Sequence, residues 1–203
     1  MKQKPITFLV TGLIAGLTCV ALVFFGPVEL AMIILIIGVG PVFFLSVVAG
    51  MVISGAQRQL APGLLRYFGG LVLCTLSYFA AVVVLLWVWA LSQWLALPFG
   101  FDIGLGLSAA GAVGASGIAV FAALLTKRWS KSFLVRLMLA ALITILATLL
   151  VHVPLRKDWS LLGVLFPVGN ALFCYLMGAR IWQHSELERR IEALASEPNQ
   201  LPA

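Results

Sequence analysis

The sequence has few charged residues. Asp, Glu, Lys and Arg make up 10% of its 203 residues, and only seven residues are acidic. A soluble domain carries about 25% charged residues, whereas this chain is 63% hydrophobic. So few polar side chains cannot cover the surface of a water-soluble fold. The composition therefore argues against a soluble protein and indicates one that is embedded in a lipid bilayer.

Reactive side chains are also scarce. The three cysteines, Cys19, Cys74 and Cys174, lie in apolar runs without CxxC spacing. They predict neither a disulfide framework nor a zinc site. The sequence has two histidines, no phosphate-binding glycine loop with a lysine, and no paired carboxylates inside an apolar run. We therefore predict no metal site, no cofactor and no catalytic residue, and a protein that is not an enzyme.

Six long apolar runs dominate the chain. A helix needs about 20 apolar residues to cross about 30 Å of hydrocarbon, whereas a barrel shows short segments of alternating polarity. The continuous runs predict an all-α polytopic membrane bundle of six transmembrane helices within residues 1–180. Their predicted ranges are about 6–25, 30–54, 67–91, 104–125, 133–153 and 159–179.

Positive charge divides unequally between the two ends of these spans. With the amino terminus inside, eleven of the thirteen basic residues are cytoplasmic, and only Arg156 and Lys157 lie outside. Cytoplasmic loops of membrane proteins carry this excess of Lys and Arg. We therefore predict a multi-pass protein of the bacterial inner membrane with both termini in the cytoplasm. The net charge of +6 then reflects contact with anionic lipid, and we predict no binding to nucleic acid.

The last part of the chain differs from the spans in composition. Residues 181–203 are predicted to form a cytoplasmic amphipathic helix followed by a disordered tail. Glu186 precedes Arg190 by four residues, which is a favourable ion pair on a helix. Three apolar residues fall on one face of that helix: Leu187, Ile191 and Leu194.

The fourth span is rich in small residues. Gly106, Ala110 and Gly114 recur at four-residue spacing, and a second such row consists of Gly111, Ala115 and Ala119. Small residues let neighbouring membrane helices approach closely. The two rows predict a central helix that is packed on both sides by others.

A serine lies among these small residues. Residues 114–117 read Gly-Ala-Ser-Gly, in the fourth of six spans. This resembles the GxSG nucleophile motif of rhomboid intramembrane proteases, and the resemblance implies Ser116 as the nucleophile. Pro167 stands where that family carries its catalytic histidine, so Ser116 lacks the base that activates a serine. The long first outer loop of the family is also missing. The resemblance therefore implies a degenerate relative that binds transmembrane segments without cleaving them.

Two of the predicted spans contain proline. Pro41 interrupts the second span, and Pro167 precedes Asn170 in the sixth. Asn170 can satisfy the backbone that Pro167 disturbs, bond a neighbouring helix, or contact a substrate, because broken helices line the sites of many transporters. Glu29 and His152 lie at outer ends of spans, and we interpret them as a helix-terminal acid and an interface residue.

The scarcity of ionisable residues inside the spans favours a non-catalytic function. The first hypothesis is an accessory or assembly partner of a membrane complex, in contact with another membrane protein or with a second copy of itself. The alternative is a small oligomeric permease or channel subunit for a small solute, built around broken helices 2 and 6. The third is the rhomboid-like protein without protease activity.

Overall fold

The chain folds into an all-helical bundle, as the apolar runs predict. The computed structural model describes residues 4–27, 29, 33, 38–55, 64–95, 101–155 and 158–196. Six helices lie within these residues: α1 (Lys4–Phe25), α2 (Val39–Ser54), α3 (Leu64–Trp94), α4 (Phe101–Thr126), α5 (Lys131–Leu155) and α6 (Asp158–Ser196). Five of them, all except α2, are long and apolar enough to cross a membrane.

The structure describes the later part of the predicted second span as helix α2. The described part of α2 begins at Val39 and has 16 residues, which corresponds to about 24 Å at 1.5 Å per residue. Most of residues 28–37 lie outside the described part of the chain. The helix ends at Gly55, whose φ of +72° is a left-handed conformation that glycine adopts without strain. The Gly55 N–H donates to the carbonyl of Val52 at 3.1 Å.

The six described helices form a closed ring. Each helix packs against the next in the order α1, α6, α5, α4, α3, α2 and back to α1. The most extensive contact joins α1 to α6, and α6 also reaches across to α2 and α4. The small-residue rows correctly predicted that α4 packs between two neighbours, which are α3 and α5. The helix with the most neighbours is nevertheless α6.

The contact between α1 and α6 depends on two glycines. A Cβ added to Gly12 would lie 2.5 Å from the carbonyl oxygen of Asn170, and one added to Gly16 would lie 2.6 Å from the carbonyl oxygen of Phe166 and from Cα of Pro167. Gly12 and Gly16 are four residues apart, which is the GxxxG spacing of closely packed membrane helices. Helix α1 therefore lies directly against the α6 backbone around its proline.

A single aromatic ring fills the space between three helices. Phe8 of α1 is 1% exposed, and its ring lies against Gly50 of α2 and Gly178 of α6. A Cβ on either glycine would lie within 2.6 Å of the ring. The main core cluster continues from Phe8 through Leu137 of α5 and Met177 of α6. These contacts join the basic end of the bundle into one packed unit.

The sixth helix is continuous across two predicted segments. It runs for 39 residues and contains Pro167. The segment predicted to be amphipathic, from residue 181 onward, extends the sixth span without a break as far as Ser196, and residues 197–203 lie outside the described part of the chain. The predicted pair is present, with Arg190 Nε 3.8 Å from Glu186 Oε1.

Basic residues gather at one end of the ring, where α4 turns into α5. Arg180 of α6 donates from Nη2 to the carbonyl oxygen of Arg128 at 3.2 Å. Its guanidinium lies 6.0 Å from the ring centroid of Phe133, within the range of a cation–π contact. Lys127 has a φ of 52° in the same turn. Arg180 therefore links α6 to the turn between α4 and α5.

Candidate functional site

A cavity lies inside the helix ring. Its volume is about 450 Å³, within the range of small-molecule sites in proteins. Helices α2 to α6 all contribute to its lining, whereas no α1 residue does so among those described. The cavity lies near the middle of the bundle, since its lining extends from Leu107 to Ile118 of α4 and from Ala141 to Ile145 of α5.

The cavity is lined mainly by aliphatic and aromatic side chains. Four lining side chains carry a hydroxyl or an amide: Ser77, Tyr78, Thr144 and Asn170. None of the described residues that line the cavity is charged. An ion or a zwitterion in such a site would lose its hydration without receiving a counter-charge. The arrangement therefore suits an uncharged, largely apolar molecule.

Both prolines at the predicted helix interruptions lie beside this cavity, but neither interrupts its helix: the described α2 continues through Pro41, and α6 continues through Pro167. Gly40, next to Pro41, lines it from α2, and Phe166 and Asn170, on either side of Pro167, line it from α6. Gly40 also brings α2 close to α3, because a Cβ at this position would lie 2.6 Å from the carbonyl oxygen of Cys74. The structure thus brings together two proline-containing segments that are more than 120 residues apart in the sequence.

Buried hydroxyls in the bundle are satisfied within their own helices. Each of six buried Ser or Thr side chains donates to a backbone carbonyl three or four residues earlier, at 2.7–2.9 Å: Ser46, Ser92, Thr126, Thr144, Thr148 and Ser185. This is a common way for Ser and Thr to satisfy hydrogen bonding inside a helix. These hydroxyls need no partner on another helix.

Asn170 differs from these hydroxyls. It is 6% exposed, and its buried Nδ2 has no hydrogen-bond partner in the described structure. Two structural roles were predicted for Asn170, and Nδ2 has neither in the described structure. It does not donate to the carbonyl of Gly163, which has no helical partner because Pro167 lacks an N–H, and it does not donate to a neighbouring helix. A buried donor without a partner costs free energy, so Asn170 is the residue in this cavity that most needs an explanation.

The serine of the rhomboid-like motif is remote from the cavity. Ser116 is exposed on α4, is not among the lining residues, and donates to the carbonyl oxygen of Ala112 at 2.8 Å. Its neighbour Gly117 packs against Ser77 of α3. Glu29 is exposed, and the side chain of His152 lies outside the described part of the structure. Ser116 thus lies on a different face of α4 from the cavity, although Gly114, the first residue of the motif, lines it.

The three cysteines lie in different surroundings. Cys19, Cys74 and Cys174 are all buried and free of disulfides. Cys74 alone lines the cavity, whereas Cys174 contacts the α1 backbone at Gly12. Within the described residues no group of three metal-ligating side chains comes together.

Sequence reasoning did not find Tyr78 and Thr144, which line the cavity from α3 and α5. Both lie within apolar runs without a motif. One signal was available on α3, where Cys74, Tyr78 and Ala81 recur at helical spacing and so share one face. That pattern identifies a face, and only the tertiary arrangement shows that the face lines a cavity.

Fold and site together define a class of protein. An all-helical bundle with several helices long and apolar enough to cross a bilayer indicates a membrane-embedded, multi-pass protein. No protein-family model, curated protein or solved structure matches the chain.

Proposed function

We propose that this protein is a non-catalytic membrane protein that holds an uncharged lipophilic molecule inside its helix ring. The cavity of about 450 Å³ carries this proposal, because five helices surround it and its described lining is uncharged. Binding in such a site is governed by shape and by apolar contact. A role beside another membrane protein, as an accessory subunit, fits a protein whose own site holds a ligand without transforming it.

The apolar lining favours binding over conduction. A channel or permease for an ion or a polar solute replaces the lost hydration with carbonyl, hydroxyl or charged groups along its path. Here Thr144 donates to its own helix, and aliphatic and aromatic side chains make up most of the remaining lining. A permease for a polar solute therefore has less support than a binding protein.

Occupancy of the cavity can be tested at Gly114. This residue lines the cavity, and a Cβ at its position would meet no atom within 4 Å. We expect Gly114→Leu to fill the cavity without disturbing the fold. The measurement is photolabelling in lipid nanodiscs with a ten-carbon alkyl diazirine, followed by mass spectrometry of the peptides.

We expect cavity-lining peptides of α3 and α6 to be labelled in the wild type, and their labelling to fall to the level of lipid-exposed peptides in Gly114→Leu. Gly69→Leu is the matched control, because a Cβ at Gly69 also meets nothing within 4 Å and Gly69 is not among the cavity-lining residues. Equal labelling of wild type and Gly114→Leu would contradict the proposal.

We further propose that the protein spans a bacterial inner membrane six times, with α2 completing the second span and both termini in the cytoplasm. The gathering of Arg128, Arg180 and Lys127 at one end of the ring supports this orientation, since basic residues are retained on the cytoplasmic side.

The orientation can be tested with two cysteines. Trp94 and Trp129 are both exposed and lie at opposite ends of the bundle, at the last residue of α3 and after α4 respectively. In intact cells we expect a membrane-impermeant maleimide to label Trp94→Cys and to label Trp129→Cys only after lysis. The native cysteines are buried, so the wild type is the unlabelled control. The reverse pattern would invert the proposed topology, and labelling of both in intact cells would change the number of spans.

A further inference from the structure

Asn170 places a polar amide in the mainly apolar lining of the cavity. Asn170 lines the cavity and is 94% buried, since it is 6% exposed. Among the described residues, the six buried hydroxyls each donate to a carbonyl of their own helix, whereas Nδ2 of Asn170 has no hydrogen-bond partner there. A buried amide that bonds no protein group is best explained by a partner that is not part of the chain.

Asn170 lies between α1 and the cavity. The backbone of Asn170 is covered by α1, because a Cβ on Gly12 would lie 2.5 Å from the Asn170 carbonyl oxygen. Thr144 of α5 also lines the cavity, and its hydroxyl hydrogen is already donated to the carbonyl oxygen of Ala140 at 2.8 Å. The two ends of a carboxamide exchange places by a half-turn of the side chain, so the amide can direct its N–H groups into the cavity.

The absence of charged side chains in the described lining limits which acceptors can bond to the Asn170 amide. None of the described residues that line the cavity is basic, so an anionic acceptor such as a carboxylate would be buried without a counter-charge. A neutral oxygen has no such penalty. The acceptor that fits Asn170 is therefore uncharged.

We propose that the ligand is a neutral lipophile that carries a carbonyl oxygen, and that this oxygen accepts a hydrogen bond from Nδ2 of Asn170 while the hydrocarbon part lies against Phe43, Leu85 and Ile145. This inference rests on the proposed function, because it names the class of molecule that the cavity holds. The carbonyl belongs either to an acyl ester of a membrane lipid or to a free ketone or quinone.

The test compares two probes that differ in one oxygen. Wild type and Asn170→Leu are reconstituted in nanodiscs of ether-linked phospholipid, which has no ester carbonyl, and the affinities of decane and 2-decanone are measured by equilibrium dialysis. We expect Asn170→Leu to weaken 2-decanone binding about five- to tenfold, the size of one net hydrogen bond, and to leave decane binding unchanged. Thr148→Val is the matched control, since its buried hydroxyl donates to the Thr144 carbonyl within α5 and Thr148 is not among the cavity-lining residues, and we expect it to change neither affinity.

A spectroscopic measurement reports the hydrogen bond itself. With carbon-13-labelled 2-decanone, we expect the infrared carbonyl band of the bound ketone to shift to lower frequency in the wild type and in Thr148→Val, and to show no shift in Asn170→Leu. The wild-type spectrum requires no variant, so it decides the question even if Asn170→Leu does not fold.

Different results of this experiment would contradict the inference alone or the inference together with the proposed function. Equal 2-decanone affinity in wild type and Asn170→Leu, with an unshifted carbonyl band, would overturn the inference while decane binding upholds the proposed function. Binding of neither probe would overturn both. Repetition in ester-linked phospholipid separates the two sources, because a lipid ester that occupies the site competes with 2-decanone whereas a free lipophile leaves the affinity unchanged. Either result upholds the inference.

Discussion

Gly16→Ala is expected to lower the free energy of unfolding by about 1–3 kcal/mol, the usual cost of overpacking a well-packed site. The added methyl would lie 2.6 Å from the carbonyl oxygen of Phe166 and from Cα of Pro167. Both are backbone atoms, so no side chain can rotate to make room, and α1 must move away from α6. The measurement is the loss of folded protein in mild detergent with increasing temperature, followed by size-exclusion chromatography.

Gly69→Ala is the control for this prediction. It places the same methyl group on a membrane helix, but nothing lies within 4 Å of the added Cβ. We expect its stability to equal or exceed that of the wild type, because alanine favours the helix over glycine. If Gly16→Ala were as stable as Gly69→Ala, the close approach of α1 to α6 would be refuted.

Phe8→Ala is expected to lower the free energy of unfolding by about 2–4 kcal/mol, near the lower part of the range for removal of a buried aromatic ring. Phe8 is 1% exposed and its ring contacts Gly50 and Gly178. Neither glycine has a side chain that can fill the resulting void. The loss is one of packing contacts, because lipid replaces water around unpacked membrane helices and the hydrophobic contribution is small.

Phe25→Ala provides the comparison on the same helix. Phe25 is 90% exposed, so its ring has few packing contacts to lose. We expect this variant to unfold within about 0.5 kcal/mol of the wild type, as surface substitutions do. The same detergent assay measures both variants. Similar losses for Phe8→Ala and Phe25→Ala would show that Phe8 is not a packing element.

The positions of most helices follow from the sequence because a membrane span must be apolar along its whole length. The range 6–25 predicted the first helix, observed as Lys4–Phe25, and 104–125 predicted the fourth, observed as Phe101–Thr126. For the second span the comparison covers only Val39–Ser54, because most of residues 28–37 lie outside the described part of the chain.

The ring order of the helices could not be predicted in the same way. Small residues in α4 indicated close packing, and that packing is observed with α3 and α5. The pair Gly12 and Gly16 shows the same spacing in α1, yet the spacing does not identify the partner. Its partner is the α6 backbone some 150 residues away, and this contact depends on the shape of both helices together.

The candidate site was predictable in part for the same reason. Pro41, Pro167 and Asn170 stand out locally, because proline and a buried amide are rare in apolar helices, and all three lie in the segments that form the cavity. Tyr78 and Thr144 do not stand out, because a hydroxyl that bonds its own helix is ordinary in a membrane span.

The length of α6 has a mechanical consequence. Its 39 residues extend about 58 Å at 1.5 Å per residue, nearly twice the hydrocarbon thickness of a bilayer. The 29 residues that follow Pro167 form an arm of about 44 Å. A bend of about 10° at that proline, a common site of helix bending, displaces Ser196 by about 8 Å. Since Phe166 and Asn170 line the cavity on either side of Pro167, a change in the bend at this proline would move the Ser196 end of α6 relative to the cavity.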